Sequence, residues 1–265
     1  MKKVSLISLV FVLCLTLGSF AYASVDNLPT TTNEIVKYNS TIHETSDPEL
    51  TMKAEMQNVK SIKNMEALEE NKLRELFNIN EVSSTIMATP VTVAIGTDKT
   101  LTTANDGDSD TSKSGTSASY HRYTISSRSA EANSWASIWG AADAYAYVGQ
   151  TFKTTGTTSK SAKIIFSGTY RGDMVGGING NAYAEIKVKL WDSTDSVWLG
   201  TQTVASASSS NNLSKTLNGN INHAITATLE PNHVYFPYIH VSTAASEYGA
   251  HISNSDFYGD STHRM

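Results

Sequence analysis

The chain has 265 residues, 17% of them charged and 9% aromatic, and a formal net charge of −5 at pH 7. This acidic balance argues against a nucleic-acid partner, because binding to phosphates favours a basic surface. The single cysteine, Cys14, excludes an internal disulfide and any zinc site built from several cysteines.

Residues 1–23 are predicted to be a cleavable secretory signal peptide. Two lysines precede an apolar run over 4–17. Ala21 and Ala23 then supply small residues at positions −3 and −1 of the predicted cleavage site. The apolar run is shorter than the roughly 20 residues that a membrane-spanning helix needs. We therefore expect a secreted or cell-surface protein with no transmembrane segment after cleavage.

The segment 24–90 is predicted to be polar and helical. Ser46 can cap the first turn of a helix and Pro48 fits inside that turn, so the helix is expected to begin there. Apolar residues then follow at helical spacings: Met52, Met56, Val59, Ile62, Met65, Leu68, Leu73, Leu76 and Phe77. This stripe predicts that the helix docks on the rest of the chain, with a partner-binding stalk and a removable pro-segment as alternatives.

From residue 91 to 265 the apolar residues alternate with polar ones, which is typical of strands with one buried face. Ala184, Ile186, Val188 and Leu190 alternate with Glu185, Lys187 and Lys189, for which we expect a solvated face. The same period recurs over 162–170 and 221–229, and further strands are predicted over 91–95, 120–125, 141–152, 197–204, 234–242 and 250–257. Roughly nine short strands predict a mainly β protein, an antiparallel β-sandwich of jelly-roll type preceded by the helical segment.

The residues between the predicted strands are typical of tight turns. Asn179-Gly180 and Asn218-Gly219 each predict a short hairpin, because these residues tolerate the positive φ that such turns require. Pro237 lies inside a strand pattern and predicts an edge strand or a bulge, since proline has no N–H to donate.

The chain contains no G-x-S-x-G nucleophile motif and no H-E-x-x-H zinc motif. Its seven histidines form no H-x-H or similar pair, which favours ordinary structural roles. The sequence therefore favours a non-enzymatic protein. A polysaccharide hydrolase that uses a pair of carboxylates on neighbouring strands stays open, because sequence shows no separation between strands.

Two groups of residues are candidate sites. Asp106, Asp108 and Asp110 resemble the start of an oxygen-rich calcium loop, although the EF-hand pattern fails at the required glycine and glutamate, and a flexible polar loop is the alternative. Asp143, Tyr145 and Tyr147 share one face of a predicted strand and could bind a glycan by stacking and hydrogen bonding. The alternative for the two tyrosines is a place in the core, because large aromatic side chains bury much area.

Arg171-Gly172-Asp173 matches the integrin-binding tripeptide and is predicted to lie in a glycine-rich turn after a strand. Three-residue matches are common by chance, and Gly172 has a local structural reason in a turn. An adhesive role for this tripeptide therefore ranks behind a structural one.

One longer pattern carries a resemblance. Residues 144–152 (AYAYVGQTF) are followed by 167–170 (SGTY), by a strand that ends in Leu190-Trp191-Asp192, and by 229–235 (LEPNHVY). This order resembles a loose group of secreted, uncharacterised prokaryotic β-sandwich proteins over roughly 130–260. The resemblance implies export and an all-β fold, and it carries no activity.

These observations together predict a secreted, non-enzymatic β-sandwich that binds a glycan, a cell-envelope component or another extracellular partner. A polysaccharide hydrolase and a membrane-active β-protein are the alternatives. The predicted organisation is a signal peptide over 1–23, a helical segment over 24–90 and a β-sandwich over 91–265.

Overall fold

A computed structural model describes residues 46–78 and 89–265, so the predicted signal peptide lies outside the described residues. Within these ranges, one helix is followed by eleven strands. The elements are α1 (Pro48–Asn78), β1 (Val91–Ala94), β2 (Thr100–Leu101), β3 (Asp106–Thr124), β4 (Ser129–Gly149), β5 (Phe152–Thr155), β6 (Lys160–Gly176), β7 (Gly180–Asp192), β8 (Val197–Ser210), β9 (Leu213–Leu229), β10 (Val234–Glu247) and β11 (Ile252–Arg264). The protein is mainly β with a helical N-terminal segment, as predicted.

The long strand β4 takes part in two layers of the structure. One of its edges pairs with β3 over 129–137 and 141–149, whereas the other edge pairs with β11 over 129–137 and with β10 over 140–149. Between these two ladders, Ile138 and Trp139 have positive φ values of 48° and 61°, which bend the strand. We call the layer β4-β10-β7-β8 sheet A and the layer β4-β11-β6-β9 sheet B.

The strands after β4 follow the path of a jelly roll. The chain runs through β6 in sheet B, β7 and β8 in sheet A, β9 in sheet B, β10 in sheet A and β11 in sheet B. Two four-stranded antiparallel sheets connected in this way are the jelly-roll arrangement. The predicted architecture is confirmed, although the strands are longer than expected, since β3 and β4 contain 19 and 21 residues.

The core lies between the two sheets. Ile186, Val188 and Leu190 point into it from β7 and are fully buried, as their alternation predicts. Burying a side chain of this size contributes roughly 1.5–3 kcal/mol. The sheets approach so closely that a Cβ on Gly259 of β11 would lie 2.5 Å from Cδ1 of Ile186.

Helix α1 forms a third layer on the outer face of sheet A. Met65, Leu73 and Phe77 pack against a cluster of aromatic side chains that includes Trp191 and Tyr238. Glu185, Lys187 and Lys189 belong to this covered face, so the prediction that they form a solvated face is wrong for Glu185 and Lys189, which are buried. The described residues contain no helix that combines the length and the hydrophobicity needed to cross a membrane.

Only part of the predicted apolar stripe of α1 docks. Met52 and Met56 are 57% and 66% exposed, and Val59 is also exposed. The first half of the helix is held instead by polar contacts, because Nδ2 of Asn58 donates to the carbonyl of Asn181 at 2.9 Å and to its side-chain oxygen at 2.8 Å. Small and polar residues, rather than the methionines, therefore face the sheet there.

The turn predictions had mixed outcomes. Asn179-Gly180 does form a turn, but that turn carries the chain from sheet B to sheet A instead of closing a hairpin. Asn218-Gly219 lies inside β9, so the second predicted hairpin is wrong. The edge strand or bulge predicted from Pro237 is wrong, because β10 pairs along both edges and its register with β7 continues through Pro237. On the other edge, Pro237 lies between the residues that pair with β5 and those that pair with β4, where no ladder N–H is needed.

Candidate ligand-binding face

The predicted tyrosine site lies on the outer face of sheet A, beneath α1. Tyr145 and Tyr147 are buried in the aromatic cluster that meets the helix, and Asp143 is buried beside them. The two rings stack with their centroids 6.3 Å apart. The prediction that this face is exposed is therefore wrong. The alternative is correct, since both tyrosines lie in a core.

The contact between α1 and sheet A is polar as well as aromatic. Glu69 of the helix pairs with Lys189 and accepts a hydrogen bond of 2.7 Å from the Tyr238 hydroxyl, and all three side chains are buried. Glu66 pairs with Lys187 at 2.8 Å. Burial, together with the Glu69 carboxylate, raises the pKa of Tyr238 well above its usual value. The buried Glu69–Lys189 pair recovers little net stability after desolvation, whereas Glu66 of the second pair is 44% exposed.

The predicted calcium residues are placed differently from expectation. The predicted loop placement of Asp106, Asp108 and Asp110 is wrong, because these residues lie on β3. Each carboxylate accepts the N–H of the next residue, and Asp108 and Asp110 also lie 3.0 Å from Nζ of Lys72. The cation that these two carboxylates meet is the Lys72 ammonium. Asp106 does not share it, and burial raises the pKa of Asp106 to about 6.

Within residues 46–78 and 89–265, no helix covers the outer face of sheet B, since α1 lies against β4, β7 and β10. The strand register places polar and aromatic side chains there in two adjacent rows, which cross the four strands of sheet B and the neighbouring strand β3. We call these rows the polar face: Arg122, Glu131, Tyr258, Arg171 and Asn218 in the first row, and Tyr120, Asn133, Asp256, Asp173 and Thr216 in the second.

Contacts within the polar face fix several of its side chains. Nη2 of Arg122 lies 3.3 Å from Oε2 of Glu131. The guanidinium carbon of Arg171 lies 5.1 Å from the centre of the Tyr258 ring. Two shallow depressions adjoin along this face and share Arg171, Asn218 and Tyr258 in their walls, so together they form a groove.

The carboxylates of the polar face crowd one another. Asp256 and Asp173 are directly paired across β11 and β6, and Glu131 lies nearby on β4. Partial desolvation and the negative charges of Glu131 and Asp173 raise the pKa of Asp256. The groove therefore offers strong hydrogen-bond acceptors beside two guanidinium donors.

The integrin-like tripeptide is part of this face and not of a turn. Arg171 and Asp173 project outward from the middle of β6, whereas Gly172 lies toward the core. A Cβ at Gly172 would lie 2.0 Å from Cδ2 of Phe257, so glycine is required by the packing of β11 on β6. The predicted position in a turn is wrong.

Comparisons with known proteins add little to this description. No family model matches the chain, and no curated protein matches it. A solved chain in the structure of infectious bursal disease virus, Gx strain, aligns with 67% of this chain and 45% of its own length, at 9% sequence identity and a TM-score of 0.18. A similarity this weak carries no argument, so the resemblance to secreted prokaryotic β-sandwich proteins stays a prediction.

Proposed function

We propose that this protein is an exported, non-enzymatic β-sandwich that binds a neutral polysaccharide along the polar face of sheet B. The observation that supports the proposal is the open groove in which Tyr258 and Arg171 lie among carboxylates and amides. The tyrosine site first predicted from the sequence lies under α1, so the proposal moves the binding site to the opposite side of the sandwich.

The chemistry of the polar face suits sugar hydroxyl groups. A hydroxyl donates to a carboxylate such as Asp173 and accepts from a guanidinium such as Arg171, and both kinds of group stand side by side in the two rows. The rings of Tyr258 and Tyr120 offer apolar surfaces on which the C–H faces of sugar rings can stack. Such amphipathic side chains favour a ligand that is polar at its edges and apolar on its faces.

Charge and size narrow the ligand class. The two rows contain two arginines and three carboxylates, so they do not attract an anionic polymer. Five strands at the usual spacing extend over about 19 Å, which is long enough for several sugar units. A neutral chain polymer fits this surface better than a single small sugar.

Binding can be tested with residues 24–265 on a panel of neutral polysaccharides by affinity electrophoresis. We expect retardation by at least one polymer, and we expect Tyr258→Ala to weaken binding by about two- to tenfold, since a stacked aromatic ring contributes roughly 0.5–1.5 kcal/mol. Trp139→Ala is the matched control, because Trp139 is also an exposed aromatic but lies at the bend of β4, outside the groove.

The same samples distinguish the runner-up function. The crowded carboxylates Asp256, Asp173 and Glu131, with the raised pKa of Asp256, would also suit a polysaccharide hydrolase. Release of new reducing ends from a bound polymer would establish hydrolysis in place of simple binding. Absence of retardation by every polymer, or equal loss of binding in Tyr258→Ala and Trp139→Ala, would contradict the proposed site.

A further inference from the structure

A cluster of metal-ligating groups lies at one end of sheet A, away from the polar face. Asp192 ends β7, Asp195 lies in the turn to β8, and His233 immediately precedes β10. The pairing of Tyr235 with Asp192 brings the two chain segments together. We propose that Asp192, Asp195 and His233 bind one divalent transition-metal ion, of which Zn²⁺ is the best probe.

The ligand atoms already stand close to the required separations. Nδ1 of His233 lies 2.9 Å from Oδ2 of Asp192 and 3.9 Å from Oδ2 of Asp195, and the three groups offer atoms that all lie within 4.8 Å of one another. Metal–ligand bonds of about 2.1 Å place neighbouring ligands roughly 3–3.5 Å apart in a tetrahedral site. The exposed Asp195 carboxylate is the ligand that would have to move closer to complete the site.

Two of the three ligands are held in place without a metal. Oδ1 of Asp192 accepts the backbone N–H groups of Thr194 at 2.9 Å and Asp195 at 3.3 Å, which leaves Oδ2 directed at His233. The backbone carbonyl of His233 accepts a hydrogen bond of 2.9 Å from the N–H of Thr154, and the imidazole ring of His233 stacks on the Tyr235 ring. Because these contacts already hold the two side chains in place, less side-chain entropy would be lost when an ion binds.

Glu230 completes the arrangement on the far side of the imidazole. Its Oε2 lies 3.6 Å from Nε2 of His233. When Nδ1 binds a metal, Nε2 carries the ring N–H, and this N–H would hydrogen-bond to Glu230 once the two atoms approach by a few tenths of an ångström, which is the usual way in which a ligating histidine is oriented. Glu230 is therefore a positioning residue and not a ligand.

The local charge also favours a cation. In the described ranges, the ion pairs of Asp192, Asp195 and Glu230 are all made with His233, so one imidazole serves three carboxylates. An imidazole with two carboxylates suits Zn²⁺ and similar transition metals better than Ca²⁺, which prefers six to eight oxygen ligands. Asp195 is 57% exposed, so water can reach the remaining coordination positions.

The site can be tested by calorimetric titration of Zn²⁺ into EDTA-treated residues 24–265. We expect one Zn²⁺ per chain, and we expect His233→Gln and Asp195→Asn each to lower its affinity at least about tenfold. Asp195→Asn changes an exposed side chain, so it keeps the test informative if His233→Gln fails to fold. His223→Gln is the matched control and should bind Zn²⁺ like the parent chain.

The proposal is overturned if the parent chain shows no saturable, stoichiometric Zn²⁺ binding, or if Asp195→Asn and His233→Gln bind as the parent does. Tighter binding of Ca²⁺ than of Zn²⁺ in a parallel titration would overturn the assigned metal class. No polysaccharide takes part in these titrations, so their outcome is independent of the proposed function.

Discussion

At the scale of single residues, burial controls the protonation of several side chains. His263 of β11 is buried in edge-to-face contact with Phe166, with ring centroids 4.9 Å apart. Burial, with a smaller effect from the positive charge of Arg128, lowers the pKa of His263 to about 3. This histidine is therefore neutral in the folded protein at any pH above that value.

The lowered pKa of His263 predicts a loss of stability in acid. The unfolded chain binds a proton at this residue below about pH 6.5 that the folded chain does not bind, so the free energy of unfolding falls as the pH falls from about 6.5 toward 3, by up to about 1.4 kcal/mol per pH unit. Urea unfolding at pH 7, 5.5 and 4 should show a shallower dependence for His263→Gln than for the parent chain.

The comparison between parent and variant is essential, because Asp106 acts in the opposite direction. Its raised pKa of about 6 means that the folded state gains a proton first as the pH falls, which stabilises it relative to the unfolded chain. The difference between the two proteins isolates the contribution of His263. Parallel pH dependences for parent and variant would show that His263 is not buried in its neutral form.

At the scale of elements, close packing of the two sheets depends on glycine at one position of β11. A Cβ on Gly259 would lie 2.5 Å from Cδ1 of Ile186, on the facing strand of sheet A. Overpacking of this kind typically costs about 1–3 kcal/mol. We expect Gly259→Ala to lower the free energy of unfolding by that amount in urea denaturation.

The partner of the contact supplies its own control. Ile186→Val removes Cδ1, the atom that the new Cβ would meet, so Gly259→Ala should cost less in the Ile186→Val background than in the parent chain. Non-additivity of this kind is expected only for residues in contact. Strictly additive costs would contradict the packing of β11 against β7 described above.

Helix α1 shows why an element can be predicted while its docking face cannot. The apolar spacing predicted the helical segment, but it did not distinguish Met65, which docks, from Met56, which is exposed. The choice is made by the sheet beneath, where Lys187 and Lys189 pair with Glu66 and Glu69 of the helix. The apolar stripe of a helix carries no information about the charges on the sheet against which that helix packs.

At the scale of the whole molecule, local alternation was enough to predict a mainly β jelly roll. The period of two over β7 identified the strand and its buried face, because each alternate side chain faces the core. The same reasoning could not identify what covers the other face. The turn predicted at Asn218-Gly219 came from a residue pair that is common in hairpins. In the structure, the pairing of β9 with β6 continues through these two residues.

Neither site could be assembled from the sequence, because each depends on strand register over long separations. Glu131, Arg171 and Tyr258 share one row although they come from three different strands, and nothing in their local patterns specifies which residues lie opposite each other. Asp192 and His233 likewise meet only because β7 pairs with β10. Spacing along the chain identified neither group.

Amide hydrogen exchange would show whether a polysaccharide binds to the polar face of sheet B. Exchange would be followed for residues 24–265 with and without a polymer that retards the chain. We expect slower exchange in β4, β6 and β11 around Glu131, Arg171 and Tyr258, with α1 unchanged. Protection confined to α1 and sheet A, or an unchanged pattern in sheet B, would contradict this expectation.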